Sequence, residues 1–421
     1  MTSKNPNQSV TFQEFDPKEY LLMDIAANYG LDKEDWDTRL DWAENHLMEM
    51  QRVSEMDQTQ LSTSTLMKEA DEPAMMYAGI MAYRNVMLGK PIGYGISLDA
   101  TASGIQLLSI MAGCEKSAQV CNVIPSSDTE DHREDAYTTL YGSMKTRVSS
   151  DLATNVTRAM AKDSIMTAFY GSKAVPKRHF GEGDMLSAFY DTLETDTPGA
   201  WALNVYLQGL WREYALGHAW MLPDNFHVIV KEMNQVSRTV QWGNQPTDVF
   251  VTKNIGTKTG RSLCPNVTHS VDAMVVREMQ RRCSMTKLDQ MQIMEGKRTT
   301  AEDHAMVEVL WEHYQQSGFL SSRILHFMGS EHTPLIFSVP VQQLLNSLPK
   351  KAFKLITIHD AFRCLPPYGN ALRKQYNQIL YELAKSNLLK FLADQIAGTP
   401  QNIHKGGLVP SQILQSNYSI C

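Results

Sequence analysis

A chain of 421 residues that is 43% hydrophobic and 20% charged can bury one large core or two to three subdomains. It has no run of eighteen apolar residues, which excludes a membrane-spanning helix of the usual kind. Its 39 basic residues against 46 acidic ones, a net charge of −7, exclude a uniformly basic nucleic-acid coat, because neutralising phosphate takes Lys and Arg. Local distribution differs from the average: between Lys145 and Arg178 seven cations face only Asp151 and Asp163. Such a stretch can line a channel in an otherwise acidic surface.

Residues 1–14 are polar, lack the apolar core of a signal peptide, and read as a flexible tail. Tyr20 to Met50 and Ala74 to Met87 show apolar residues at helical spacing. Gly93 to Leu98 reads as a strand running into Asp99, and Ser103-Gly104 opens a further helix. Ala136 to Gly171 reads as mostly helical, and Phe226 to Val251 as short strands. Helices are expected over Val271 to Arg282 and Ala301 to Gln316, with His269-Ser270 just before the first of them. Lys354 to Ile358 reads as a strand ending at His359-Asp360, followed by one long helix over Asn370 to Ile396. Strands and helices mix without βαβ alternation, so the expected class is α+β. The six cysteines show neither C-x-x-C pairing nor zinc-finger spacing and are expected to be free thiols.

Asp99 and Asp360 each sit at a strand end, a rigid place from which to aim a carboxylate. Two such acids can hold two Mg²⁺ ions about 3.5–4 Å apart, one activating an attacking hydroxyl and the other screening a leaving pyrophosphate. Taken singly, each is more simply a turn or cap residue. Between them, Arg158, Lys162, Met166 and Tyr170 recur every four residues, drifting about 40° per step around one helix face. Two cations and an aromatic ring on one face can grip a triphosphate and abut a sugar. Lys162 can also serve as general acid toward the departing pyrophosphate.

The order of these elements resembles the three motifs of the single-subunit RNA polymerases of phages and mitochondria. The residues that carry the resemblance are "Asp99-Ala-Thr-Ala-Ser103-Gly104-Ile105-Gln106", "Arg158…Lys162…Met166-Thr167-Ala-Phe-Tyr170-Gly171-Ser172" and "His359-Asp360-Ala361". "Asp71-Glu72-Pro73", "Trp220-Met-Leu-Pro223-Asp224" and "Pro265-Asn266-Val267-Thr268-His269-Ser270" are similar to the family's intervening segments, in the family's order. "Ile413-Leu414-Gln415-Ser416-Asn417-Tyr418" is similar to its closing segment, which folds back toward the active site.

The resemblance implies a right-hand fold, predominantly helical with a small antiparallel palm sheet. Residues 15–114 would form N-terminal helices and the first palm strand, 115–345 the fingers, and 346–421 the rest of the palm with the C-terminal segment. It implies metal binding by Asp99, Asp360 and the Ala100 carbonyl, and phosphate contacts from Arg158 and Lys162. Tyr170 and His269 would sense the ribose 2′-hydroxyl, with Tyr137 near the insertion site. DNA template, nascent RNA and ribonucleoside triphosphates are the implied partners.

Only 98 residues precede Asp99, and they resemble the segment downstream of the family's D/T-x-x-G-R motif. The string Thr257-Lys-Thr-Gly260-Arg261 fits that motif but lies in the wrong place in the order. The resemblance is therefore greatest to the larger polypeptide of the two-polypeptide middle-gene enzymes of N-four-type phages. It implies a second polypeptide bearing the missing motif and thumb, and a virus-encoded enzyme working in the cytoplasm of a bacterial host. His269 and His359 stand 90 positions apart, which makes 287–342 an expected helical insertion. The region from Phe226 to Arg261, matching the family's promoter-reading hairpin, looks shortened. Two alternatives remain: a family A-like DNA polymerase, disfavoured by Gly104 and Ala361 where those enzymes carry Glu, and an inactive DNA-binding remnant.

Overall fold

A computed structural model describes residues 10–259 and 262–421. It is α+β as expected: predominantly helical, with three small antiparallel sheets. The sheet that matters most has three strands in the order β1 (Ile96–Asp99), β7 (Ala361–Cys364), β6 (Ile356–Ile358). A two-stranded sheet pairs β2 (Gly217–Met221) with β3 (His227–Lys231). A hairpin of two ten-residue strands, β4 (Met233–Trp242) and β5 (Gln245–Asn254), stands out from the surface with nearly every residue exposed.

Local chemistry explains the element ends. The Pro17–Ala26 helix starts with Pro at its first position, and the Asp16 N–H donates to the Glu19 carboxylate at 2.6 Å. Thr157 caps the Arg158–Phe169 helix, its hydroxyl accepting from the Met160 N–H at 3.2 Å. Gly171, with φ 77°, supplies the left-handed backbone on which the chain leaves that helix.

The main core runs from Tyr20 to Ile420 and joins segments far apart in the chain. Trp36, fully buried, donates from its indole nitrogen to the Asn417 carbonyl at 3.0 Å and stacks on Tyr418. A second cluster of buried residues, from Met285 to Leu348, gives the expected insertion a core of its own. Each fully buried Leu, Ile or Phe in these clusters contributes roughly 1.5–3 kcal/mol against exposure.

The structure differs from the sequence reading in several places. Residues 10–14, expected as part of a flexible tail, are pinned: Val10 is buried, and the Gln13 N–H donates to Asn417 Oδ1 at 2.7 Å. Residues 1–9, the rest of that tail, and Gly260-Arg261 of the motif-like string lie outside the described residues. His269 does not precede a helix but sits two turns inside one, Leu263–Cys283. The expected helix over Asn370 to Ile396 is two, Gly369–Lys385 and Leu388–Ala397, because Ser386 breaks the run and its hydroxyl caps Leu388 at 3.2 Å. Ala136 to Gly171 divides into three helices. Both acid-bearing strands start later than read, and β1 runs one residue further, so that Asp99 ends it. All six cysteines are free.

Candidate active site

The three-stranded sheet brings the two motif acids together from opposite ends of the chain. Asp99 pairs in register with Ala361 across β1 and β7. Asp360 occupies the two-residue turn between β6 and β7, and the Ala100 N–H donates to its carbonyl at 3.3 Å. His359, the other turn residue, holds a left-handed backbone at φ 56°, an unusual setting for a non-glycine residue. The C-terminal segment does return to this place. Asp99 and Cys421 exchange backbone hydrogen bonds at 3.2 and 3.0 Å, and Ala100 bridges Ile420. Asp99 is thus clamped between β7 and the last residues.

Both carboxylates open into a cavity of about 790 Å³. Its far wall is the Arg158–Phe169 helix, from which Lys162 and Met166 face inward, with Tyr170 at its C-terminal end. Lys162 Nζ lies 5.5 Å from the centre of the Tyr137 ring. The Tyr170 ring stacks on His269 at 5.0 Å between centroids, joining this wall to the Leu263–Cys283 helix. Successive inward positions on that helix present His269, Asp272, Ala273, Val276 and Arg277. Asp99, Ala100, Lys162, Tyr170, His269, Asp360 and Tyr137 therefore share one chamber.

Arg158 is absent from the cavity lining. It turns to Asp135, with which it forms a close ion pair, and donates from Nε to the Thr138 hydroxyl at 2.6 Å. Position along the helix explains this: Arg158 is the first residue, beside the end of the neighbouring Ala136–Thr146 helix, whereas Lys162 lies one turn inward. Asp272 and Arg277, by contrast, are wall residues whose helical spacing from His269 becomes visible once the helix is started at Leu263.

The electrostatics are those of an anionic chamber. Burial, and then the Asp360 charge, push the Asp99 carboxyl up to about 6. The same two causes in the same order push Asp272 up to about 7. Burial, followed by Tyr170 and Asp360, raises the Tyr137 phenol to about 12. Three carboxylates therefore converge where protein cations do not balance them, and a divalent cation would relieve that repulsion. The donors are hard oxygens, which suit Mg²⁺ rather than zinc. Among the described residues no three of His, Cys, Asp and Glu form a ready-made cage.

Residues 16–212, just under half of the chain, match a family model described as DNA-dependent RNA polymerase. A "Probable DNA-directed RNA polymerase" of Neurospora crassa is 27% identical over 162 residues, covering 35% of this chain and 17% of that protein. The chain thus matches about a sixth of that relative's length. The family-matched segment contains Asp99, Tyr137, Arg158, Lys162 and Tyr170. His269, Asp272 and Asp360 lie beyond it and join the others through the fold.

Proposed function

We propose that this chain is the catalytic polypeptide of a DNA-directed RNA polymerase of the single-subunit type, adding ribonucleotides to an RNA 3′ end. The observation that carries this reading is the meeting of Asp99 and Asp360 on one cavity wall, opposite Lys162, Tyr170 and His269. The RNA-polymerase match over the first half supplies the family context.

Two Mg²⁺ ions, held by Asp99, Asp360 and the Ala100 carbonyl, would lower the pKa of the attacking hydroxyl and offset charge on the leaving group. The protein groups do the rest. The acceptor 3′-oxygen bonds to the α-phosphorus as the bond to the bridging oxygen breaks. Lys162 Nζ grips the triphosphate and gives a proton to the departing pyrophosphate. Arg158 reaches phosphate only by leaving Asp135, so in this form Lys162 carries that contact. Tyr170 and His269, stacked on one another in the cavity wall, would sense the ribose 2′-hydroxyl. Gly104 lines the cavity with no side chain to crowd that hydroxyl.

The reading extends to a phage gene product of the two-polypeptide type, acting in the host cytoplasm with a second polypeptide. Affinity purification from infected cells tests the partner: a stoichiometric second chain carrying the upstream motif supports it, and a monomer fully active on promoters refutes it. Primer extension on a DNA template with rNTPs or dNTPs tests the chemistry. RNA synthesis dependent on template and Mg²⁺ is the expected result. A strong dNTP preference would make the enzyme a DNA polymerase, and no synthesis by the purified complex would leave only a DNA-binding role.

A further inference from the structure

Arg277 is the one cavity-lining cation on the Leu263–Cys283 helix, and its setting is unusually well built. Its guanidinium is fixed on two sides. Nε donates to Asp224 Oδ2 at 2.6 Å and Nη2 to Asp224 Oδ1 at 3.1 Å, a fork-to-fork pair. Its flat face lies 4.3 Å from the centre of the Phe226 ring. Asp224 is only 1% exposed, while the Arg277 side chain keeps 23% of its surface open.

Asp224 does not exhaust the positive charge around it. Arg281 shares the same carboxylate at 3.3 Å, and Arg323 donates to the Asp224 carbonyl at 2.8 Å. Across the buttress three guanidiniums, Arg277, Arg281 and Arg282, pair with three carboxylates, Asp224, Glu278 and Glu382, while Arg323 adds a fourth cation held only by the Asp224 carbonyl. Arg277 Nη1 has no hydrogen-bond partner among the described residues and sits on the side chain that faces the cavity.

Position then decides what that free edge meets. His269 packs on Tyr170 at the end of the Lys162 helix. Arg277 lies eight residues further on, about 12 Å along the helix axis. There the helix meets β6: Gln280 donates to the Thr357 hydroxyl at 3.2 Å. The chamber therefore has a Lys162 end and a β6 end, and the acids Asp99 and Asp360 belong to the β6 end, opposite Lys162. A nucleotide whose triphosphate is held at the Lys162 end leaves the β6 end for the strand being extended.

We infer that Arg277 binds a backbone phosphate of the acceptor RNA strand near its 3′ end, and that Asp224 is the positioning residue that aims it. This rests on the polymerase reading and goes beyond it by assigning the acceptor side of the site. Phe226 and Asp224 together fix the guanidinium plane in advance, so little side-chain freedom is lost when phosphate arrives.

The test uses the purified full chain with any polypeptide that accompanies it, and a fluorescent RNA primer annealed to a DNA template. Arg277→Gln is expected to raise the Kd and KM for this scaffold about tenfold, the effect of losing one charge-assisted contact. The slope of log affinity against log salt should fall by about 0.9, one phosphate contact. The KM for rNTP should move less than about twofold, an effect well under 1.4 kcal/mol. Arg277→Lys, which guards against misfolding, should keep the salt slope while losing part of the affinity. Asp224→Asn should weaken scaffold binding with the slope unchanged. A raised rNTP KM with intact scaffold binding would place Arg277 on the triphosphate, and wild-type values throughout would make it structural; either overturns the inference. A wild-type complex that extends primers while Arg277→Gln matches it sinks this inference alone. A wild type that neither binds nor extends the scaffold sinks the polymerase reading with it.

Discussion

Asp272 and Glu278 lie six residues apart on one helix, the first half-buried and the second fully buried, yet their carboxyls are pushed in opposite directions. Burial and the Asp360 charge drive Asp272 up to about 7. Burial alone would raise Glu278 as well, but Arg282 and Arg281, with hydrogen bonds from Ser321 and Ser322, hold it below the usual range. The Ser322 N–H donates to Glu278 at 3.0 Å, and Arg282 Nε does so at 3.1 Å. The difference separates two uses of acid in one protein. Behind the cavity, carboxylates are matched with guanidiniums and tie the Leu263–Cys283 helix to Glu382 on the Gly369–Lys385 helix. Inside it they are left facing one another, which costs stability and makes sense where a cation and a triphosphate are to arrive.

The comparison predicts contrasting responses to the loss of one carboxylate. In the cavity, Asp99→Asn should cut nucleotide addition roughly a thousandfold or more while leaving the melting temperature unchanged or higher, since it removes a repelled charge. Quenched-flow extension alongside calorimetry checks both halves. In the buttress, Glu278→Ala leaves the buried Arg282 with Glu382 alone and the buried Ser322 N–H without its acceptor, and should cost about 3–5 kcal/mol in urea denaturation. A cost under about 1 kcal/mol would dissolve the distinction between the two groups of acids.

Smaller effects sharpen it. Tyr170→Phe should relax rNTP over dNTP selectivity by about tenfold, read from competing kcat/KM values, since the proposed function has the Tyr170 hydroxyl pair with the sugar. Asp272→Asn should change the pH dependence of stability in the Mg²⁺-free protein. A carboxyl whose folded pKa is raised binds more protons folded than unfolded. Asp272 thus makes stability fall as pH rises between its ordinary value of 3.8 and about 7. The Asn variant should lose that part of the slope in melting curves taken across the window. An identical slope would deny that Asp272 is repelled.

The site was legible where chemistry follows local pattern. The strand-end acids and the four-residue spacing of Lys162, Met166 and Tyr170 are visible in the chain, and the fold brings them to one cavity. Other features depend on partners remote in sequence. Arg158 shares the helical spacing, yet Asp135, 23 residues away, draws it off the cavity. Asp272 and Arg277 fall inside the expected helix over Val271 to Arg282, but only with its start at Leu263 does His269 join them on one face, since Pro265 is tolerated in the first turn. β7 is only four residues, too short for the alternate burial of Phe362 and Cys364 to mark it in the chain, and it exists because β1 and β6 flank it. Residues 10–14 looked loose by composition, but Asn417 and Arg373, some 400 and 360 positions on, hold their backbone.

The convergence of residues 99 and 360 is tested most directly by a double-mutant cycle on single-nucleotide addition. Asp99→Asn, Asp360→Asn and the double variant are compared with wild type under saturating substrate. Acids that act as one unit predict that either single loss is nearly as severe as both together. Independent, multiplying losses, or an active Asp360→Asn enzyme, would contradict the account.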